Sequence, residues 1–265
     1  MLNGLSQINI ELTSRCNKSC FFCGHQNIKV NTGLEYGDAD FGLLESIAAQ
    51  IPRGIIVQFH RDGEPTIYPR LKEALSLFRG NIRSIVTNGR ALVSRADEII
   101  ENCTTVTVSA FDNDPDGDEQ LDVLREFLKL KGERKPNVNV KIVGGMDEDR
   151  LAALYDLGIP ILYRSLHNAA GDFRYKVSTP PIPEVGICLD FLSHPSIDWR
   201  GDFYICNRLD VNNHGLLGNL ADSTLDSLWN GEKRKAMMAH HINGRRDLAN
   251  PLCAKCEFYG LPAPG

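Results

Sequence analysis

The chain of 265 residues carries a formal charge of −5 at neutral pH, with 42% apolar and 24% charged residues. That is the make-up of a globular protein long enough for one large domain and a smaller one, and its acidic balance argues against a general nucleic-acid or membrane-surface binder, which need a basic face. No apolar run approaches a membrane span and the first residues lack a secretory signal, so a cytoplasmic setting with reduced thiols is expected.

Up to about residue 165, short β-branched runs alternate with longer amphipathic stretches. Strands are predicted over residues 7–12, 55–59, 82–87, 105–109, 138–143 and 161–164. Helices are predicted over 41–50, 69–78, 94–101, 119–131 and 147–157, with Pro69 suited to a first turn and Ser94 to a cap. Continuous apolar strands alternating with helices mean a parallel sheet with helices outside. Six such units predict an α/β fold, a partial (β/α)6 barrel, whose chemistry collects at the carboxyl ends of the strands. Three prolines over residues 178–183 then read as a stiff linker. The boundary is drawn there, with a barrel over 1–178 and a small irregular α+β domain over 179–265. In the second part a hairpin is predicted over 197–206 and a helix over 224–230.

The eight cysteines, in a reducing compartment, point to metal rather than disulfides. Cys16, Cys20 and Cys23 form a C-x3-C-x2-C loop directly after the first strand. Three close thiolates can wrap one corner of a four-iron cluster and leave one iron open to a small molecule, which a closed site cannot do. A zinc site with His25 as fourth ligand is the alternative. Cys103, at a helix end, reads as a buried structural thiol.

The loop spacing, its place after strand one and Phe22 before the last cysteine resemble the radical S-adenosylmethionine superfamily. The resemblance implies that S-adenosylmethionine chelates the open iron and is reductively cleaved to a 5′-deoxyadenosyl radical that abstracts a substrate hydrogen. His60-Arg-Asp-Gly-Glu-Pro-Thr66, after the second strand, is similar to the family's Gly-Gly-Glu-Pro segment. Glu64 and Gly63 match it, while Asp62 stands where a glycine is usual. By the same resemblance Asn88 of Thr87-Asn88-Gly89, Ser109 at the fourth strand end and Tyr163 at the sixth are cofactor-binding, and Arg164, His167 and Asn168 face the substrate. Without the resemblance, Arg164 would be a surface ion-pair partner and His167 a hydrogen-bonded loop residue.

Cys188, Cys206, Cys253 and Cys256 supply four further thiolates, enough to close a second cluster or to hold zinc. With the Leu217–Asn230 text between them they resemble the carboxy-terminal SPASM domain in its shortened twitch form, which implies two [4Fe–4S] clusters in all. Trp229 reads as a core anchor. A second, closed cluster can take an electron from a substrate radical, so oxidation of a small polar metabolite (a sugar, cyclitol or nucleoside-like molecule) is expected. The layout is closest to that of aminocyclitol dehydrogenases acting on 2-deoxy-scyllo-inosamine. The first strand begins near residue 7, which leaves no room for a leader-peptide-binding domain; peptide modification is the second expectation and redox-neutral epimerisation a third. A flavodoxin or ferredoxin is the implied electron donor, with neither nucleic acid nor membrane as partner. The non-enzymatic alternative is a metal-stabilised binding module or iron–sulfur sensor, which would need neither Glu64 nor six barrel units.

Overall fold

The β-branched runs become six parallel strands: β1 (Gln7–Ile10), β2 (Ile56–Phe59), β3 (Ile82–Thr87), β4 (Thr105–Ala110), β5 (Asn137–Val143) and β6 (Ile161–Arg164). The structure, a computed structural model, describes residues 2, 4–25, 35–164, 187–208 and 210–256. Each strand pairs in parallel with the next in sequence, as right-handed β-helix-β units dictate. Helices α1 (Phe41–Gln50), α2 (Leu71–Leu77), α3 (Ala96–Asn102), α4 (Gly117–Lys131) and α5 (Glu148–Tyr155) make the connections that the described residues cover.

Side-chain alternation divides the sheet into two faces. Ile8, Ile10, Val57, Phe59, Ile85, Val106, Val108, Val140 and Ile142 are fully buried in a core shared with Leu44, Leu75, Ile99, Phe127 and Leu154 of the five helices. The opposite face is polar. Asn9, Gln58 and Ser84 share one register row, and Thr107 and Asn139 another. The inside of the barrel is therefore a hydrophilic lumen, while the helix side is the hydrophobic core.

The carboxy-terminal part adds to the same sheet. After α6 (Leu189–Ser193), β7 (Ser196–Ile197) pairs in parallel with β1, and β8 (Asp202–Tyr204) and β9 (Leu216–Asn219) follow antiparallel. The nine strands run β6-β5-β4-β3-β2-β1-β7-β8-β9. This hairpin covers the β1 edge, which would otherwise present unpaired backbone. In its turn Asp198 Oδ1 accepts from the Arg200 and Asp202 amides at 2.9 Å, and Gly201 takes φ +86°. α7 (Leu225–Trp229), capped by Thr224, then leads to α8 (Glu232–Ile242) and α9 (Pro251–Lys255).

Two predicted helix starts are corrected. Pro69 lies before α2, which begins at Leu71, and Ser94 donates to the Ala91 carbonyl at 3.1 Å inside the preceding turn, so α3 begins at Ala96. α4 starts two residues early because the Gly117 amide already bonds the Asp114 carbonyl. β9, α6, α8 and α9 had no counterpart among the predicted elements. The prolines at 178–183 and the 178/179 boundary lie outside the described residues.

Trp229 is 1% exposed, with its ring 6.3 Å from that of Phe203 and the Arg234 guanidinium 3.4 Å above it. Trp229→Ala should cost about 3–5 kcal/mol through the cavity left behind, seen as a lower urea midpoint; an unchanged midpoint would deny the tryptophan its anchoring role.

Candidate functional site

The Cys16–Cys23 segment is fastened from several sides. Arg90 donates to the Asn17 carbonyl, the Asn88 side chain to Asn17 Oδ1 at 2.8 Å, and Lys18 pairs with the buried Asp114. Phe22 meets Phe111 edge to face at 5.1 Å. The strand ends β3 and β4 thus hold a segment that has no regular structure of its own. Cys16, Cys20 and Cys23 feel one another's charge, and burial raises all three thiols, Cys20 to about 12 and Cys23 to about 11. Backbone amides of Lys18 and His25 point at Cys16 and Cys23 and would favour their thiolates. His25 is committed elsewhere: its Nε2 donates to the Ser14 carbonyl at 2.6 Å and its ring stacks on Tyr36.

Beneath this loop runs the segment after β2. Glu64 N donates to the Arg15 carbonyl at 2.8 Å, and a Cβ on Gly63 would lie 1.9 Å from the Thr13 carbonyl oxygen. Only glycine permits that approach. The Glu64 carboxylate is buried: Oε1 accepts from Thr66 N, Thr66 Oγ1 and Thr87 Oγ1, and Oε2 from Asn88 N at 2.7 Å. It therefore joins the ends of β2 and β3 and keeps acceptor capacity on Oε2. Asn88 in turn brings its Nδ2 to 4.0 Å from Cys16 Sγ.

Glu11, just past β1, carried no motif in the sequence, yet it ties the site together. Its Oε1 accepts from the Asp62 and Gly63 amides at 3.1 and 3.3 Å, and its Oε2 from Trp199 N in the β7–β8 turn at 3.2 Å. Arg61 lies within 4.0 Å of Glu11, Asp62 and Asp198 and stacks on Tyr204. These groups line a cavity of about 460 Å³. Burial pushes Glu11 up to about 8, with Asp62 beside it adding to the rise.

Further inside the lumen, Ser109 and Lys141 stand in register on β4 and β5. Arg164 pairs with Val143, whereas Tyr163 pairs with Ile142 on the helix side, is 58% exposed and bonds Tyr155. Tyr163 is not brought to the other candidates. His167 and Asn168 lie outside the described residues. His60, Lys141, His194 and Arg208 also enter the lumen. Strand alternation could have pointed to Lys141; Arg208 and His194 arrive from the carboxy-terminal part, where no periodicity marks them.

The second set of thiols surrounds a cavity of about 360 Å³ lined by Cys188, Cys206, Cys253 and Cys256 together with Arg208 and Arg246. Asn250 Nδ2 approaches Cys253 Sγ at 3.3 Å, and amides of Phe191 and Arg208 point at Cys188 and Cys206. Burial raises Cys188 to about 11 and Cys253 to about 12, so a metal must displace protons to bind. Among the described residues no three His, Cys, Asp or Glu side chains converge on one metal ion. The donor sets, three thiols and four, fit one open and one closed cluster. Cys103, apart from both sets, is buried beneath α3.

Residues 188–257 match the SPASM family, an iron–sulfur cluster-binding domain. Two curated relatives are a probable GTP 3′,8-cyclase of Methanocella arvoryzae, 27% identical over 68% of this chain and 63% of that one, and a tungsten-containing aldehyde ferredoxin oxidoreductase cofactor-modifying protein of Pyrococcus furiosus, 26% identical over 52% and 44%. The chain thus spans less than two thirds of the length of either relative. Similar solved structures include BtrN in complex with AdoMet and 2-DOIA (TM-score 0.65, 18% identity, 95% of this chain and 92% of that one). Streptococcus suis SuiB bound to the precursor peptide SuiA is another (TM-score 0.67, 14% identity, 96% and 71%).

The raised Glu11 carboxyl sets a pH dependence of stability. Between about 4.5, its ordinary value, and about 8 the folded chain keeps a proton that the unfolded chain releases. Its contribution is fully present below that window and is lost as pH rises through it. Glu11→Gln should flatten the fall in urea midpoint from about pH 5 to pH 8; an unaltered slope would show that other groups set it.

Proposed function

Because the chain joins the fold of radical S-adenosylmethionine enzymes to a carboxy-terminal SPASM-type iron–sulfur domain, with S-adenosylmethionine and [4Fe–4S] clusters as its cofactors, we propose that it oxidises a small polar metabolite by hydrogen abstraction. The observation that carries this reading is the pairing of one three-thiol loop with one four-thiol cavity on a single sheet. Bound there, the cofactors supply a carbon-centred radical that removes a substrate hydrogen and an acceptor for the electron left behind.

The residues have separate tasks in this reading. Cys16, Cys20 and Cys23 hold the first cluster, and Cys188, Cys206, Cys253 and Cys256 the second. Glu64, Gly63, Asp62 and Asn88 shape the loop against which the methionyl part of the cofactor rests, with Oε2 of Glu64 still able to accept from its ammonium. Ser109 offers a hydroxyl at the next strand end but one. Arg164 faces the substrate from β6. Phe22, packed edge to face on the buried Phe111, would help keep water from the reacting carbon.

Peptide modification is the second reading, favoured by the likeness to SuiB bound to its precursor peptide. BtrN, with a small molecule bound, supports the first.

Anaerobically reconstituted protein should hold about eight irons and form 5′-deoxyadenosine when reduced with S-adenosylmethionine. Alanine at Cys16, Cys20 or Cys23 should abolish that product, whereas Cys253→Ala should lose about half the iron and still cleave the cofactor. Zinc in the first site without cofactor cleavage would sink the enzymatic reading.

A further inference from the structure

The side chain of Asn250 does more than its helix cap requires. Asn250 stands directly before α9, where its Oδ1 accepts from the Cys253 amide at 2.9 Å. That bond fixes which end of the side-chain amide faces which way, so Nδ2 is turned towards Cys253 Sγ at 3.3 Å and Met237 Sδ of α8 at 3.7 Å. Asn250 is buried, and among the described residues no oxygen accepts from its Nδ2.

A thioether and a neutral thiol are weak acceptors, and a buried N–H group without a good partner is costly. The mismatch disappears once Cys253 is a thiolate, because the bond then becomes charge-assisted and stronger. Burial pushes the Cys253 thiol up to about 12, and the Asn250 bond is the foremost influence opposing that rise. Cys188 and Cys206 are served differently, by backbone amides of Phe191 and Asp190 and of Arg208. Those donors are present whatever side chains stand there, whereas the donor on Cys253 depends on the identity of residue 250. Hydrogen bonds to the sulfurs of an iron–sulfur cluster tune its reduction potential: an added electron is shared with the sulfurs, which strengthens each bond and favours the reduced form.

We propose that Asn250 is a positioning residue for the second cluster, raising its reduction potential through the Nδ2–H···Sγ bond to Cys253 and so fitting it to accept the electron left on the substrate radical. The proposal rests on the reading of the four-thiol cavity as a [4Fe–4S] site and deepens it. On reduction one electron enters, Asn250 keeps its proton, and no bond is made or broken at Cys253. The two ends of one amide have separate effects: Oδ1 sets where Cys253 lies on α9, and Nδ2 sets how readily its sulfur bears charge.

The test is a redox titration followed by electron paramagnetic resonance on the reconstituted full chain with Cys16→Ala, Cys20→Ala and Cys23→Ala combined, so that the second cluster alone contributes. Asn250→Ser and Asn250→Gly both suit a helix N-cap but lack the amide donor. Each should lower the midpoint potential by about tenfold in the reduction equilibrium, or about 59 mV for a one-electron couple. Thr224→Ala removes the cap of α7 in the same part of the chain. It should lower the urea midpoint and leave the potential where it was, and a purely structural role for Asn250 would make its variants behave the same way. If the alanine background does not fold, the intact chain takes its place, and only one of its two midpoints should move. A potential that stays or rises in both Asn250 variants, or falls equally in Thr224→Ala, would overturn the proposal. Iron and zinc are counted in the same samples. About four irons per chain with an unmoved potential remove only the role of Asn250, whereas zinc in place of iron removes the second cluster and the proposal with it.

Discussion

One buried carboxylate, that of Glu11, connects the parts on which everything else is built. It leaves β1 where the cysteine loop begins, accepts two amides from the segment that supports that loop, and accepts a third from the carboxy-terminal hairpin. Glu11 is itself buried, and a buried amide without a partner costs more than a bond gains. Arg61 sits beside Glu11, Asp62 and Asp198 and partly balances three acids with one cation. Burial, with Asp62 and Asp198 adding to it, is why the Glu11 carboxyl holds its proton so far above the usual range. The price of this arrangement is electrostatic, and what it secures is a fixed relation between barrel and hairpin.

That fixed relation gives the sheet its functional meaning. Because β7 continues the barrel sheet beyond β1, the four-thiol cavity is attached to the rigid element that carries the three-thiol loop. A separate domain on a linker would leave the spacing of two redox sites to diffusion; a shared sheet leaves it to hydrogen bonds. The polar lumen follows from the same geometry. Parallel strands with helices on one side must turn alternate residues inward, and here most of those residues are polar, Asn9, Gln58, Ser84, Thr107, Asn139 and Lys141, with Val86 and Val143 among them. A barrel filled by layers of branched side chains is a packed core; this one has a largely polar interior.

The barrel was legible in the sequence because each strand is an apolar run whose neighbours in space are its neighbours in order, so local pattern and topology carry the same information. The cysteine loop was legible for a similar reason: three ligands within eight residues need no tertiary knowledge. In the carboxy-terminal part only the four cysteines, the β7–β8 hairpin and the Leu225–Trp229 helix were. Its elements are two to five residues long apart from α8, too short for any period to register, and they are held by single contacts such as Asp198 in its turn and Asn250 capping α9. The attachment of β7 to β1 joins residues 9–10 to 196–197, a pairing that no local signal encodes. Glu11 and Arg61 escaped notice for the same reason, since an acid after a strand looks like any loop residue until its three amide donors are seen. Tyr163 shows the opposite error. It stands at a strand end as the candidates do, but the parity of β6 turns it to the helix side and leaves Arg164 to face inward.

Parity also separates the two charged regions of the interior and gives each a chemistry. Around β1 and the hairpin, Glu11 and Asp198 accept from backbone amides, and Arg61 and Arg200 lie beside the acids, so that region serves architecture. Across the lumen, around β5 and β6, Lys141 and Arg164 face inward, and Asn139 beside Lys141 has a buried side-chain oxygen with no partner among the described residues.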